Sequence, residues 1–217
     1  MLLEDERAAV AETCRDLVRE GLVKGTSGNV SVRVGDLVAI SPGSVDYESL
    51  TPADIPVVDL EGTCVDGSRS PSSELRMHLG VYAGTPATAT VHTHAPYTSV
   101  LSTLVDELPA IHYMIVTLGG PVRVTDYHVF GSAELAEDTG RCLEGRHAVI
   151  LGSHGGITTG DSLPTAYKRS VTLEWLCQLY YRAVQFGKPR ILTQEQLDAV
   201  AAQMRYYADA RTSFRPT

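Results

Sequence analysis

The sequence predicts a single-domain α/β protein, and three observations carry that expectation. A chain of 217 residues is short enough to share one hydrophobic core. Segments of helical period alternate irregularly with short β-branched runs, and no glycine-rich dinucleotide loop joins them. No repeat, low-complexity tract or long Pro/Ser linker divides the chain, so one domain is expected over residues 1–217.

Val10, Cys14, Leu17 and Val18 recur at helical spacing and predict a first helix over residues 5–21. Gly25-Thr26-Ser27-Gly28-Asn29 then breaks the pattern as a turn. Short alternating segments predict strands over residues 30–33, 37–41 and 56–60. Ser70-Pro71-Ser72-Ser73-Glu74 reads as a helix start, with hydroxyl caps and an acid in the first turn, and that helix runs on to residue 82. Residues 87–94, rich in Thr and Val, are strand-like, and residues 95–104 are helical. A strand over 121–125, a helix over 132–143 and a short buried strand over 148–151 follow. Residues 161–186 read as a long helix with Pro164 in its first turn. Thr193-Gln194-Glu195-Gln196 is a capping-box pattern that opens a last helix to residue 207.

Composition excludes several classes. Apolar residues make up 43% and charged residues 20%, an ordinary globular mix. With 26 acidic against 18 basic side chains the formal net charge is −8, and no Lys/Arg block offsets it, which argues against a nucleic-acid partner. The longest apolar runs are too short to span a bilayer, so no membrane partner is expected. The opening Met1-Leu2-Leu3-Glu4-Asp5-Glu6-Arg7 turns charged where a signal peptide needs its apolar segment, so a soluble, cytoplasmic protein is expected. Cys14, Cys64, Cys142 and Cys177 lie far apart without a C-x-x-C pair and read as buried small hydrophobes.

The chemistry concentrates in histidines. In His92-Thr93-His94 the imidazoles stand at i and i+2, which on a strand puts both on one face. Neutral imidazole pairs of this kind begin many zinc sites, although two polar residues on a half-exposed strand would look the same. His154, in Gly152-Ser153-His154-Gly155-Gly156, follows a strand in a glycine-rich turn with backbone freedom around it. Glu74 is either a fourth ligand or base, or an acid favouring the helix dipole. Three histidines and an acid near element ends suit a catalytic zinc with an exchangeable position. His112 either shapes a pocket or packs, and His78, His128 and His147 default to surface or satisfied, partly buried positions.

Three clusters of glycines and hydroxyls, Gly25–Asn29, Ser41-Pro42-Gly43-Ser44 and Ser72-Ser73, can make an anion nest from backbone N–H groups without cations. Each alone is also ordinary turn chemistry. Together with a metal set they point to a phosphorylated substrate.

The motifs GTSGNVS (from Gly25), SPSSELRMH (from Ser70), VHTHAPY (from Val91), IHYMI (from Ile111), Phe130-Gly131 and His154-Gly155 occur in an order that resembles the class II aldolase/adducin superfamily, most nearly its fuculose-phosphate aldolase branch. The resemblance runs from the first helix to the last. It implies an α/β/α fold around a mostly antiparallel central sheet, and a homotetramer with sites between subunits. It implies one Zn²⁺ per subunit on His92, His94 and His154, with Glu74 as a ligand that becomes the acid/base. Thr26, Asn29, Ser72 and Ser73, with the Gly43-Ser44 turn, would hold the substrate phosphate. Tyr113 would serve the aldehyde oxygen, Phe130 would wall the pocket, and Tyr207, with Tyr206 beside it, matches a tyrosine sent into a neighbour's site.

One departure stands out: the branch reads Thr-Pro-Thr-Gly where this chain has Ser41-Pro42-Gly43-Ser44. The epimerase branch carries aspartate near Glu74, so the glutamate favours aldolase. The reaction implied is reversible cleavage of an L-fuculose 1-phosphate-like ketose 1-phosphate to dihydroxyacetone phosphate and an L-lactaldehyde-like aldehyde through a metal-stabilised enediolate. The same scaffold run as an epimerase, dehydratase or decarboxylase is the alternative, followed by a non-catalytic adducin-like binding module. Schiff-base chemistry is disfavoured, because Lys24, Lys168 and Lys188 all fall outside the motifs.

Overall fold

The computed structural model describes residues 1–213, with side chains as far as Asp209, so the last four residues of the predicted domain lie outside it. Helix α1 (Glu4–Arg19) carries Glu4, Asp5 and Glu6 in its first turn, where negative charge meets the positive end of the helix dipole. Strands β1 (Asn29–Val34), β2 (Leu37–Ile40), β3 (Val57–Asp59) and β4 (Cys64–Asp66) follow, then helix α2 (Leu75–Gly84) and strand β5 (Ala89–Thr93). Next come α3 (Pro96–Leu101), β6 (Glu107–Leu108), a 3₁₀ turn over Tyr113–Leu118, β7 (Val122–Arg123) and α4 (Ala133–Leu143). The chain ends in β8 (Ala148–Leu151), β9 (Gly155–Gly160), α5 (Leu163–Val184) and α6 (Gln194–Ser213).

Seven strands form one sheet in the order β4-β3-β2-β1-β5-β9-β8, every neighbouring pair antiparallel, and β6 pairs β7 apart from it. Side chains alternate faces along a strand. Val30, Ala89 and Val91 therefore pack with Val10, Cys14 and Leu17 of α1 and Ala166 of α5. Leu173 and Leu176 of α5, Leu101 of α3 and Leu197 of α6 extend that layer. The opposite face carries Val38, Ile40 and Ile157 against Leu75, Met77 and Val81 of α2 and Leu135 and Leu143 of α4. The result is an α/β/α sandwich around an antiparallel sheet.

The predicted strands at β1, β2, β3, β5, β7 and β8 are present, as are all six helices, with end shifts of a few residues. The last helix runs beyond residue 207, and the Thr193–Gln196 capping box is made: Gln196 N donates to Thr193 Oγ1 at 3.3 Å and Thr193 N to Gln196 Oε1 at 2.9 Å. Strand β9 has no counterpart in the sequence expectations, because Gly155-Gly156 reads as part of a turn. Neither glycine has a positive φ. Their small size is used for close approach instead: a Cβ on Gly155 would lie 2.2 Å from the Thr93 carbonyl oxygen, and one on Gly156 would lie 2.9 Å from Leu173 and Thr98. Cys14, Cys142 and Cys177 are buried as expected, whereas Cys64 on the short edge strand β4 is exposed.

These contacts separate two glycine-to-alanine substitutions. Gly155→Ala drives a methyl into backbone and is expected to lower stability by about 3 kcal/mol or more. Gly140→Ala, inside α4 with nothing within 4 Å of the added atom, is expected to raise it by about 0.5–1 kcal/mol. Thermal melting of the two variants against the parent checks both signs.

Candidate metal centre and active-site cavity

Register delivers the central cluster. Strand β5 is flanked by β1 and β9, and the pairing sets His92 opposite Asn29 on one side and Ile157 on the other. Because both neighbours run antiparallel, the start of β1, the end of β5 and the start of β9 meet at one sheet edge. His92 lies within the strand and is fully buried; His94 lies just beyond it, before the N-cap Ala95 and Pro96 of α3. His154 sits in the β8–β9 turn, where Ser153 takes a left-handed φ of 51° and His154 N donates to Leu151 O at 3.0 Å. Glu74 occupies the N-cap position of α2, one residue before the first turn, and is buried.

His92 Nε2 lies 2.9 Å from His94 Nε2, which lies 3.1 Å from His154 Nε2. Glu74 Oε2 is 3.1 Å from His92 Nε2, and Oε1 is 3.5 Å from His154 Nε2. One ligand atom from each of these four residues falls within 4.8 Å of the others. His92 Nδ1 is 3.0 Å from the Gly156 carbonyl, an acceptor, so the proton sits on Nδ1 and Nε2 offers a lone pair. Burial, then neighbouring imidazoles, push His94 down to about 3 and His154 down to about 4. Burial opposes the charge on Glu74, but His92, His154 and the Asn29 amide outweigh it and hold the carboxyl well below its ordinary value.

The set therefore presents His94 and His154 neutral, Glu74 as a carboxylate and the Nε2 lone pair of His92, the donor forms that metal ligands need. Glu74 Oε1 is buried with no hydrogen-bond partner. A buried carboxylate oxygen left unsatisfied is costly, and a cation among four lone-pair donors removes that cost. The donor set fits a metal ion.

Behind the cluster runs a buried chain of hydrogen bonds. Asn29 Nδ2 donates to Glu74 Oε2 at 2.7 Å, leaving Asn29 Oδ1 to accept from His78 Nε2. His78 Nδ1 must then accept from Ser31 Oγ at 2.6 Å, and Ser31 Oγ accepts from Tyr82 OH at 2.6 Å. His78, expected at the surface or partly buried, is fully buried, and α2 carries it inward four residues after Glu74.

A cavity of about 620 Å³ opens beside the cluster. It is lined by Glu74, His94 and His154 and by all of Thr26, Asn29, Gly43, Ser44, Ser72 and Ser73. Two of the three hydroxyl–glycine turns are tied together by Ser72 N donating to Ser41 O at 3.1 Å and by a bridge between Pro42 and Pro71. Ser44 takes a φ of 57°, the left-handed conformation that glycine adopts freely, at the position where the related pattern has its glycine. Phe130 also lines the cavity, with Tyr127, His128 and Ser153. His128, expected at the surface or in a satisfied, partly buried position, is partly buried and paired with Asp138, and sequence reasoning did not single out Tyr127 or Ser153. Only the neighbouring Phe130-Gly131 motif signalled that the loop mattered.

Tyr113 and Tyr207 are not brought to this cavity within one subunit. Tyr113 is 47% exposed, its ring 4.6 Å from that of His112, and Tyr207 is 58% exposed on α6 beside Tyr206. No lysine lines the cavity among the described residues.

Residues 8–181 match the family described as Class II Aldolase and Adducin N-terminal domain. The chain is 40% identical, over 94% of its length and 92% of the relative's, to a 5-methylthioribulose-1-phosphate/5-deoxyribulose-1-phosphate aldolase of Rhodospirillum rubrum. It is 36% identical, over 95% of its length and 99% of the relative's, to a 5-deoxy-D-ribulose 1-phosphate aldolase of Bacillus thuringiensis serovar kurstaki. A solved structure of L-fuculose 1-phosphate aldolase superposes with a TM-score of 0.90 at 36% identity, covering 93% of this chain and 96% of that one. The chain belongs to the class II aldolase/adducin family. Within it, it is a class II aldolase of the fuculose-phosphate aldolase type, a metal-dependent enzyme acting on a small molecule. Among the described residues no helix is long and apolar enough to cross a membrane.

The buried chain yields a pH signature. Burial lowers His78 from 6.5 to about 3, so it stays neutral in the folded protein while the unfolded chain takes up a proton. Stability is therefore present above pH 6.5 and lost as pH falls towards 3. His78→Gln, which keeps a donor and an acceptor but cannot titrate, is expected to flatten the acid-side slope by about 1.4 kcal/mol per pH unit. Urea unfolding at pH 7, 6, 5 and 4 reads it, and equal slopes would refute a neutral His78.

Proposed function

We propose that this chain reversibly cleaves a ketose 1-phosphate, releasing dihydroxyacetone phosphate and a short aldehyde. The observation that carries the reading is the joining, in one cavity, of a Glu/His₃ cluster to a cradle of hydroxyls and backbone turns. The cluster suits an oxygen-rich carbon centre and the cradle suits a phosphate ester. Zn²⁺ is the metal proposed for His92, His94, His154 and Glu74, one per subunit. When bound it supplies Lewis acidity towards the substrate's carbonyl and hydroxyl oxygens.

The rest of the chemistry belongs to side chains. Thr26, Asn29, Ser72 and Ser73 with the Gly43-Ser44 turn would orient the C1 phosphate and so fix C2 and C3 beside the cluster. In the cleavage direction the C4 hydroxyl loses its proton, the C3–C4 bond breaks, and C4 leaves as the aldehyde. The electron pair stays on C3, next to the carbonyl, and a proton delivered there by Glu74 completes dihydroxyacetone phosphate. Tyr113, aided by Tyr207, is proposed to exchange the proton of the aldehyde oxygen, and Phe130 to wall the aldehyde end. Both tyrosines stand away from their own subunit's cavity, so this assignment goes with a cytoplasmic homotetramer whose sites lie between subunits.

The aldehyde is the open part of the assignment. L-Fuculose 1-phosphate would release L-lactaldehyde. The activities named for the Rhodospirillum and Bacillus relatives favour 5-deoxyribulose 1-phosphate, with 5-methylthioribulose 1-phosphate beside it. Exposed Tyr127 and Phe130 at the rim suit the apolar tails of these two substrates.

The test is a coupled assay for dihydroxyacetone phosphate from all three substrates, run as purified, after chelation and after zinc is restored. Activity lost with chelator and regained with zinc is expected, as is a fall of about 10²-fold or more in Glu74→Gln with its metal retained. No product from any of them in zinc-loaded protein would reject the reaction. Near-normal turnover of Glu74→Gln would reject that residue's role.

A further inference from the structure

The anion cradle lacks a conventional cation. Among the described residues that line the cavity there is no Lys or Arg, and the nearest ionised group is the Glu74 carboxylate. Neutral donors can hold a phosphate dianion, and a positive group at the cradle itself, apart from the metal proposed at Glu74, would strengthen that hold. Outside the metal set, one lining side chain has two ring nitrogens that can both donate when protonated, His128.

Its placement is built rather than incidental. The loop carrying it is pressed onto the cradle, since a Cβ on Gly131 would lie 2.7 Å from the Ser73 carbonyl oxygen. His128 Nε2 is 3.0 Å from Asp138 Oδ2, and Asp138 is buried on α4, where it also accepts from Asp126 N at 3.0 Å and from Arg141 Nη2 at 2.6 Å. A carboxylate only accepts, so Nε2 carries a proton and Nδ1 is the position left for a ligand. Nδ1 can donate to an anion only when the ring is the imidazolium. The charged groups around the ring are Asp138, Glu134 and Arg141 on α4, Arg76 of α2 beside Glu134, Asp126 in its own loop, and Glu74, His94 and His154 across the cavity.

We propose that His128, fixed by Asp138, is a further substrate-binding residue that takes up a proton as the substrate's phosphate enters and supplies the cradle's positive charge. The phosphate as the occupant rests on the reading of the cavity given above. Nothing in the named family motifs includes His128.

Inorganic sulfate is the probe, because it stays a dianion across the pH range and needs no turnover. Calorimetry on zinc-loaded protein is expected to show sulfate binding that weakens about tenfold from pH 6 to pH 8, with net proton uptake at pH 7 in buffers of different ionisation enthalpy. His128→Gln, which can still donate to Asp138, is expected to bind sulfate about tenfold more weakly at pH 6 with the pH dependence gone. Its KM for the ketose 1-phosphate should rise by a similar factor while kcat stays within about twofold. Binding without proton uptake in the parent protein overturns the proposal, and this needs no variant to fold. So does a His128→Gln variant with parental affinity and pH profile. Proton-linked sulfate binding in a protein that cleaves no ketose 1-phosphate would keep His128 as an anion-binding residue and reject the aldolase substrate instead.

Discussion

Strand β5 is paired antiparallel on both edges, and that double pairing is the constraint from which the site follows. It brings the first residue of β1, the last of β5 and the first of β9 to one end of the sheet. His92 is fully buried there with its Nδ1 held by Gly156 O, while His94 and His154 enter from the two adjoining turns. The close approach of β9 to β5 at Gly155 sets the spacing of those turns. Four ligand-type groups would not choose to crowd in this way, since burial disfavours every charge among them. The sheet imposes the convergence, and a cation held among the four groups would make it favourable.

The second consequence concerns Glu74. A carboxylate at the N-cap of a helix ordinarily turns back to the free backbone N–H groups of the first turn. Here its side chain makes no such cap and points across to Asn29 and the imidazoles. Asn29 can present its NH₂ to Glu74 only because neutral His78 claims the carbonyl oxygen. His78 in turn is held by Ser31, on the same strand as Asn29, and Ser31 is held by Tyr82, on the same helix as His78. Residues two and four positions apart in strand and helix thus become one directional chain, and the orientation of the carboxylate is fixed from behind rather than by its own helix.

Much of this was legible in the sequence. H-x-H on a β-branched run, a hydroxyl-capped helix start ending in Glu74, and a histidine after a short apolar strand are local signals, and all four residues meet. The hydroxyl–glycine turns were legible for the same reason: turn chemistry is local, and every named member lines the cavity. What was not legible depends on neighbours distant in sequence. Gly155-Gly156 looks like a turn until β5 is set beside it, where close packing demands glycine in a strand. His78 reads as a surface or partly buried histidine until Ser31 and Asn29 arrive from β1 and bury it fully. His128 gains its meaning from Asp138 on α4, and no periodicity marks that pair.

The two ends of the cavity differ in how firmly they are built. The cradle and cluster stand on strand ends and turns locked by register, by the Pro42–Pro71 bridge and by backbone contacts that admit no larger residue. Another part of the lining is a loop whose aromatic side chains, Tyr127 and Phe130, lie largely exposed, and Tyr113 and Tyr207 are exposed away from the cavity. Substitutions in the rigid part change backbone packing as well as chemistry, whereas substitutions of the exposed Tyr127 and Phe130 side chains change mainly what fits beside them. On the proposed reading, a scaffold divided in this way would hold the phosphorylated half of the substrate constant while the aldehyde half varies. That division accounts for how relatives of comparable identity, 40% and 36%, carry names that differ in the sugar's tail while sharing its phosphate.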